Sequence, residues 1–495
     1  MKKIIILCSI TLAVLLTNCE DFLDIRQEAT LPTTGIDYTK SENIFLSVSA
    51  SYAKLRSWGA HVFPYIGAFE IASDNADKGS TPGDNPTMQE LDNLTYQSTN
   101  GLINDLWKGY YDIVSGANYS IHQMPLFVDA LLNNEDKTYA LQCQGEVKTI
   151  RAYAYFNLTR LFGRVPIIDT ILTSEQLADV EQATTAELYD FIEKDLEEAI
   201  AVLPNNYSKE WAGRITKYTA MAIKAKVHLY QSEWDSVASL TDKIIASGRF
   251  ELLEDFREVF SLDGENSKES LFEIQSSTLG KSTGDQTYIE YAYVQGPRGN
   301  SPANLQGWGF CTPSQNLINF YTARGETIRP ATTLLYRGTV TPEGDSIKTS
   351  CSNPVYNGKV YTPSNSNGWN YNGYGFDQNI RIIRYPDVLL MYAEALVNGA
   401  SVPLTCGLSA DDAINEVRNR AGLTDITGAT LQNIWDERRA ELALEEDRFF
   451  DLIRTNQAAA ALNDKGFTVG KHEHYPIPAA QIQLNPNLNQ NNGYN

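Results

Sequence analysis

Histidine, methionine and cysteine are scarce in this chain, at 5, 5 and 6 residues out of 495. So few histidines leave little material for general bases or nitrogen-ligated metals. No two cysteines form a C-x-x-C pair, which excludes a zinc ribbon or a thioredoxin-like site. Basic residues are outnumbered as well: 40 Lys and Arg face 61 Asp and Glu, a net charge of -21. A nucleic-acid partner would need a basic footprint, so that class is excluded. Beyond the N-terminus no run reaches about 18 uninterrupted apolar residues, so no membrane-spanning helix is expected there. Neither a G-x-S-x-G elbow, a P-loop, a Rossmann fingerprint nor H-E-x-x-H occurs in its required context. His472-x-His474 lacks a third ligand at metal spacing. No cofactor and no metal is therefore expected. An (α/α) glycosidase stays open, because its two carboxylates carry no local signature.

What is present starts with an address. Lys2 and Lys3 precede an apolar stretch of 13 residues, 4–16, too short for a span of about 20. The stretch ends at Leu16-Thr17-Asn18-Cys19, which resembles a bacterial lipoprotein signal with Cys19 as the acylated residue; Asn18 departs from the usual small residue. Lipid on Cys19 would anchor a soluble body without spanning the bilayer. The acidic start Glu20-Asp21 resembles a surface-export signal of Gram-negative lipoproteins. Residues 1–18 thus read as signal peptide and 19–40 as a tether. Cys143, Cys311, Cys351 and Cys406 remain, and their spacing selects no disulfide partners.

Helical periodicity dominates the body. Leu106, Tyr110, Ile113, Ala117 and Ile121 recur at three- and four-residue steps, as do Cys143, Val147, Ile150, Ala154, Leu158 and Leu161. Gly163 and Pro166 stop the second helix, and Thr184-x-x-Glu187 is a capping box opening the next. Residues 217–232 and 236–247 follow as a helix pair closed by Gly248. Later helices are expected over 385–395, 411–421 and 431–454. Helix pairs at this spacing resemble tetratricopeptide repeats. The chain reads as two regions, 41–260 and 261–495, the second opening with a short strand at 270–275 and including a loop-rich insertion at 286–376.

Residues 286–376 break this pattern. These 91 positions hold 11 of the 33 glycines and 7 of the 19 prolines. Trp308, Trp369, Tyr371 and Tyr374 sit there beside Gly or Asn, not in apolar runs. Flat rings on Gly-rich loops held by a rigid frame suit stacking on a ring-shaped ligand. Tyr291 and Tyr293 alternate at period two, as on one face of a strand. Trp58, beside Gly59, is a further platform candidate, with Asp74, Asn75 and Arg298 as polar partners. The loop at 74–79 misses EF-hand spacing and reads as solvated or ligand-contacting. Trp107, Trp234 and Trp435 fall in helical patterns and read as packing residues. Glu445, Glu446 and Asp447 read as salt-bridging residues, since nothing in the sequence isolates one carboxylate.

Several segments carry a family resemblance. Arg381-x-x-Arg384-Tyr385-Pro386-Asp387-Val388-Leu389-Leu390-Met391-Tyr392-Ala393-Glu394-Ala395 is one. Asn415-x-Val417-Arg418-x-Arg420-Ala421-Gly422 and Glu437-Arg438-Arg439-x-Glu441 running to Arg448-Phe449-x-Asp451 are others. Tyr475-Pro476-Ile477-Pro478 with Asn485-Pro486-x-Leu488-x-Gln490-Asn491-x-Gly493-Tyr494, Ala117-Asn118-Tyr119, Arg151-Ala152-x-x-Tyr155-Phe156 and Gly213-Arg214-Ile215-Thr216-Lys217 complete the set. Together they resemble the SusD/RagB family, in that family's order across nearly the whole mature chain. The resemblance implies a mainly α fold of tetratricopeptide-like helix pairs with an irregular loop-rich region containing short strands. It also implies a non-enzymatic, lipid-anchored outer-membrane protein that captures oligosaccharides and covers a SusC-like TonB-dependent transporter. A peptide ligand in the same lid role, or a surface glycosidase, are the alternatives.

Overall fold

A computed structural model describes residues 35–277, 288–302, 305–366 and 376–494. The frame is a run of helices: α1 (Ile44–Leu55) and α2 (Trp58–His61) both pack on α3 (Gly101–Ala130), and from there α4 (Asn134–Phe162), α5 (Thr185–Val202), α6 (Lys217–Tyr230) and α7 (Trp234–Ala246) each pack on the one before. The start signals read from the sequence act as caps. Thr184 and Glu187 form a reciprocal capping box at α5, and Asn100 accepts from the Leu102 N–H (3.0 Å) at α3. Gly163, at φ 71°, ends α4, and Gly248, at φ 60°, ends α7.

α8 (Tyr291–Gln295) lies within the irregular region; α9 (Tyr385–Val397), α10 (Ala410–Arg420), α11 (Leu431–Leu442) and α12 (Arg448–Arg454) follow it. α9 packs directly on α7, although about 140 residues separate them in sequence. The stack therefore runs straight across the inserted segment, and one apolar core extends from Leu55 to Tyr494. This is a mainly α protein with short strands.

Each strand pair is antiparallel. β2 (Ser270–Ile274) pairs with β6 (Ile380–Arg384), which closes the insertion at its base. β1 (Ala76–Gly79) pairs with β3 (Phe310–Pro313), with Asp77 opposite Thr312 and Gly79 opposite Phe310. β4 (Leu334–Tyr336) pairs with β5 (Val355–Asn357) within the insertion. The β1–β3 ladder matters most for the site, because it fastens the insertion to the N-terminal half.

Two expectations about elements are corrected. Tyr291 and Tyr293 lie on α8, a helix, so they do not share a strand face. The helix expected over 431–454 stops at Leu442 and resumes at Arg448. Leu444 and Glu446 between them take φ of 64° and 62°, and both donate backbone N–H groups to the Glu70 carboxylate (3.1 and 3.0 Å). That buried acceptor satisfies the chain where the helix would have continued. Cys143, Cys311, Cys351 and Cys406 are free thiols.

An ionic lattice joins these elements. Fully buried Arg329 donates to Glu326 (2.6 Å), to Glu437 (2.6 Å) and to Glu441 (3.4 Å). Arg384 donates to Glu441 (3.0 Å) and Glu445 (2.7 Å), and Arg420 to Glu269 (3.1 Å). Burial works to raise the Glu441 carboxyl, but Arg420, Arg384 and Arg329 around it hold it far below the usual carboxylate range. Glu437, Glu441, Glu445 and Asp447 of the 437–448 segment are ion-paired, as read from the sequence.

Candidate functional site

The site is built on α2. Ser57 caps this short helix, its Oγ accepting from the Ala60 N–H (3.2 Å). Gly59 lies against α3 at Gly109: a Cβ on Gly59 would meet the Asp105 carbonyl at 2.5 Å, and one on Gly109 would meet the Ala60 nitrogen at 2.6 Å. Backbone touches backbone here, which fixes the position of Trp58 at the surface, 37% exposed.

Trp308 arrives from the insertion. Its N–H donates to the Tyr293 carbonyl (3.0 Å), and the Gly307 N–H to the Pro297 carbonyl (3.1 Å). Gly309 takes φ 74° and passes the chain into β3. The two tryptophans meet edge to face with centroids 5.9 Å apart. Phe63 stacks behind Trp58 at 5.7 Å and touches Phe310 at 4.8 Å, while Tyr293 meets Trp308 at 6.0 Å. The exposed Trp58 and the partly buried Trp308 thus stand on a buried aromatic base.

Polar groups gather around Gly309, next to Trp308 in the chain. Arg298 donates to Ser80 Oγ (2.7 Å) and pairs with Asp84; the two charged side chains are 37% and 32% exposed. The Ser80 and Asn353 side of this cluster abuts Gly309, whose carbonyl accepts from both the Ser80 N–H and Asn353 Nδ2. The Ser80 hydroxyl, with Arg298 beside it, holds the Asp84 carboxyl below its ordinary value. A groove of about 940 Å³ begins at Ser57, Trp58 and Gly59 and continues past Tyr111, Ile168 and Leu484.

Of the residues singled out from sequence, Trp58 and Trp308 meet, and Arg298 lies beside Gly309, next to Trp308 in the chain. Asp74 and Asn75 do not join them; both are buried. Arg448 donates to Asp74 (2.8 Å) and Arg439 to Asn75 Oδ1 (2.9 Å). Burial alone would raise the Asp74 carboxyl, yet Arg448 and Arg439 bring it below its usual value. These two residues brace the frame and are corrected as ligand contacts. Tyr291 is likewise inside, its hydroxyl donating to Glu446. Trp369, Tyr371 and Tyr374, and the lipidation candidate Cys19, lie outside the described residues.

One carboxylate reading also changes. Burial pushes Glu446 well above the carboxylate range, helped by Glu70 nearby, and Glu70 itself rises to about 7. A carboxylate is isolated after all, but in the interior, against Tyr291. Ser80, Asp84, Phe63, Phe310 and Asn353 were not found from sequence. Phe63 stacks on Trp58 from the adjoining segment, whereas Ser80 and Asp84 come near Gly309, beside Trp308, through the β1–β3 ladder, which has no local signature.

A helical stack on which one ring from α2 meets one ring from the inserted loops over a buried aromatic base defines a mainly α scaffold with an aromatic face. Two family models match this chain, one described as the SusD family over residues 348–494 and one as starch-binding, associating with outer membrane, over residues 21–229. The chain belongs to the SusD/RagB family. SusD-like protein P2 of Formosa agariphila is 28% identical over 494 residues, covering 90% of this chain and 92% of that relative. The starch-binding protein SusD of Bacteroides thetaiotaomicron is 26% identical, covering 76% and 77%. A solved laminarin-binding SusD-like protein superposes with a TM-score of 0.79 at 26% identity, covering 92% of this chain and 99% of that one. No helix among the described residues is long and apolar enough to cross a membrane.

Proposed function

We propose that this protein is a surface glycan-binding lipoprotein of the outer membrane that holds an oligosaccharide across Trp58 and Trp308. The observation that carries the reading is the meeting of these two rings, 5.9 Å apart, from opposite halves of the chain. Apolar C–H faces of a sugar stack on such rings. Arg298, Ser80 and Asp84 supply the donors and acceptors that hydroxyls require. Relatives named for binding starch and laminarin support a glycan as ligand, and the description of the N-terminal family model supports the outer membrane as location. Acylation of Cys19 provides the anchor, and a SusC-like TonB-dependent barrel receives the ligand.

Binding without catalysis is the reading the electrostatics favour. A glycosidase acid needs a carboxyl raised toward neutrality within reach of the sugar. At the platform Asp84 is shifted the other way, the raised carboxyls of Glu70 and Glu446 are buried and engaged, and the groove's Asp105, raised by burial, is drawn back by Lys108. Calorimetry of the mature protein against α- and β-linked oligosaccharides and a peptide library tests the proposal. Saturable heat with an oligosaccharide, and no release of reducing ends, is expected. A response to peptides alone, or sustained hydrolysis, would overturn it.

A further inference from the structure

Glu193, His228 and Glu233 come from three places in the helical stack, none of which carries a platform residue. Glu193 is on α5, His228 near the end of α6, and Glu233 in the turn before α7. One ligand atom from each lies within 4.8 Å of the other two. The His228 ring is buried, and its Nδ1 is 2.5 Å from the Glu233 carboxylate and 3.8 Å from that of Glu193.

The arrangement is held from several sides. Ser232 takes φ 59°, and the Ser232 and Glu233 N–H groups donate back to the carbonyls of Leu229 (3.2 Å) and His228 (3.0 Å). This helix-ending turn folds Glu233 over the imidazole. Gln231 Nε2 donates to Glu193 (2.7 Å), and Lys224 pairs with Glu197 (2.6 Å) one turn along, fixing α5 against α6. One carboxylate is enough to satisfy one imidazole nitrogen. A second, aimed at the same nitrogen, adds like-charge repulsion that a bound cation relieves.

We propose that Glu193, His228 and Glu233 bind a late first-row divalent cation of the Zn²⁺ class. Imidazole with two carboxylates is a donor set for zinc, whereas calcium and magnesium take oxygen ligands. Tetrahedral zinc sets its ligand atoms about 3.3 Å apart at bond lengths of about 2.0–2.2 Å. The carboxylate of Glu233, 47% exposed, swings outward to reach that spacing while Glu193 closes in. The ion replaces the proton between Nδ1 and Glu233, and its fourth position opens to water.

The test uses tag-free mature protein titrated with ZnCl₂, with CaCl₂ in parallel, by calorimetry and thermal unfolding. One equivalent of Zn²⁺ binding with a rise in Tm, and no effect of CaCl₂, is expected. His228→Gln should abolish that equivalent, and Glu233→Gln, at an exposed position, should weaken it by at least about tenfold. Circular dichroism checks that each variant is folded; if His228→Gln is not, Glu233→Gln decides alone. Zinc stoichiometry and affinity unchanged in the folded variants, or no binding by the parent protein, would overturn the proposal.

Discussion

His61 closes the short helix that carries Trp58, and both its ring nitrogens are engaged, Nδ1 with the Leu55 carbonyl (2.7 Å) and Nε2 with the Tyr153 hydroxyl (2.9 Å). Burial drops its pKa to about 3. Between that value and the unfolded value near 6.5 the unfolded chain binds the extra proton, so stability falls as pH falls through this window. From pH 6.5 to 5 the contribution amounts to about 2 kcal/mol. Urea unfolding at pH 7 and pH 5 should show the parent protein losing about that much more than His61→Gln, which cannot titrate. At this scale the exposure of Trp58 and Arg298 was legible, because rings and charge beside glycine in irregular chain tend to lie at a surface. The sequence misled at Asp74 and Asn75. An acidic, amide-rich loop reads as solvated, and the Arg439 and Arg448 that draw these residues inward stand more than 360 positions later.

Helices were the most legible elements, since their apolar period and caps are local. The break between α11 and α12 was not legible, because Leu444 and Glu446 adopt positive φ without glycine and depend on distant Glu70. Partner choice in the ionic lattice was equally hidden, although the charges were visible. Two consequences belong to this scale. Arg329→Ala leaves the carboxylates of Glu326, Glu437 and Glu441 buried without their shared cation, and should cost about 3–5 kcal/mol in urea unfolding. Arg257→Ala breaks the half-exposed pair with Glu343 at 2.7 Å and should cost no more than about 1 kcal/mol. In the loop bearing Trp308, a Cβ on Gly307 would meet the Tyr293 carbonyl at 2.4 Å and Gly296 Cα at 2.5 Å. Gly307→Ala should therefore displace Trp308 and lower oligosaccharide affinity, read by calorimetry, while the helical circular dichroism is retained.

Across the whole molecule, the insertion is an excursion from one continuous helical stack. β2–β6 closes it at the base, β1–β3 fastens it to the N-terminal half, and that second ladder creates the platform. Composition marked the insertion as the irregular part, but its attachment to the segment around Trp58 is a long-range contact that no local pattern encodes. The account rests on Trp58 and Trp308 acting as one surface. The direct measurement is calorimetry of Trp58→Ala, Trp308→Ala and the double variant against the oligosaccharide that the parent protein binds. Loss of stacking should weaken each single variant by at least about fivefold and the double by more than about tenfold, with unchanged circular dichroism. Parent-like affinity in all three folded variants would contradict the account.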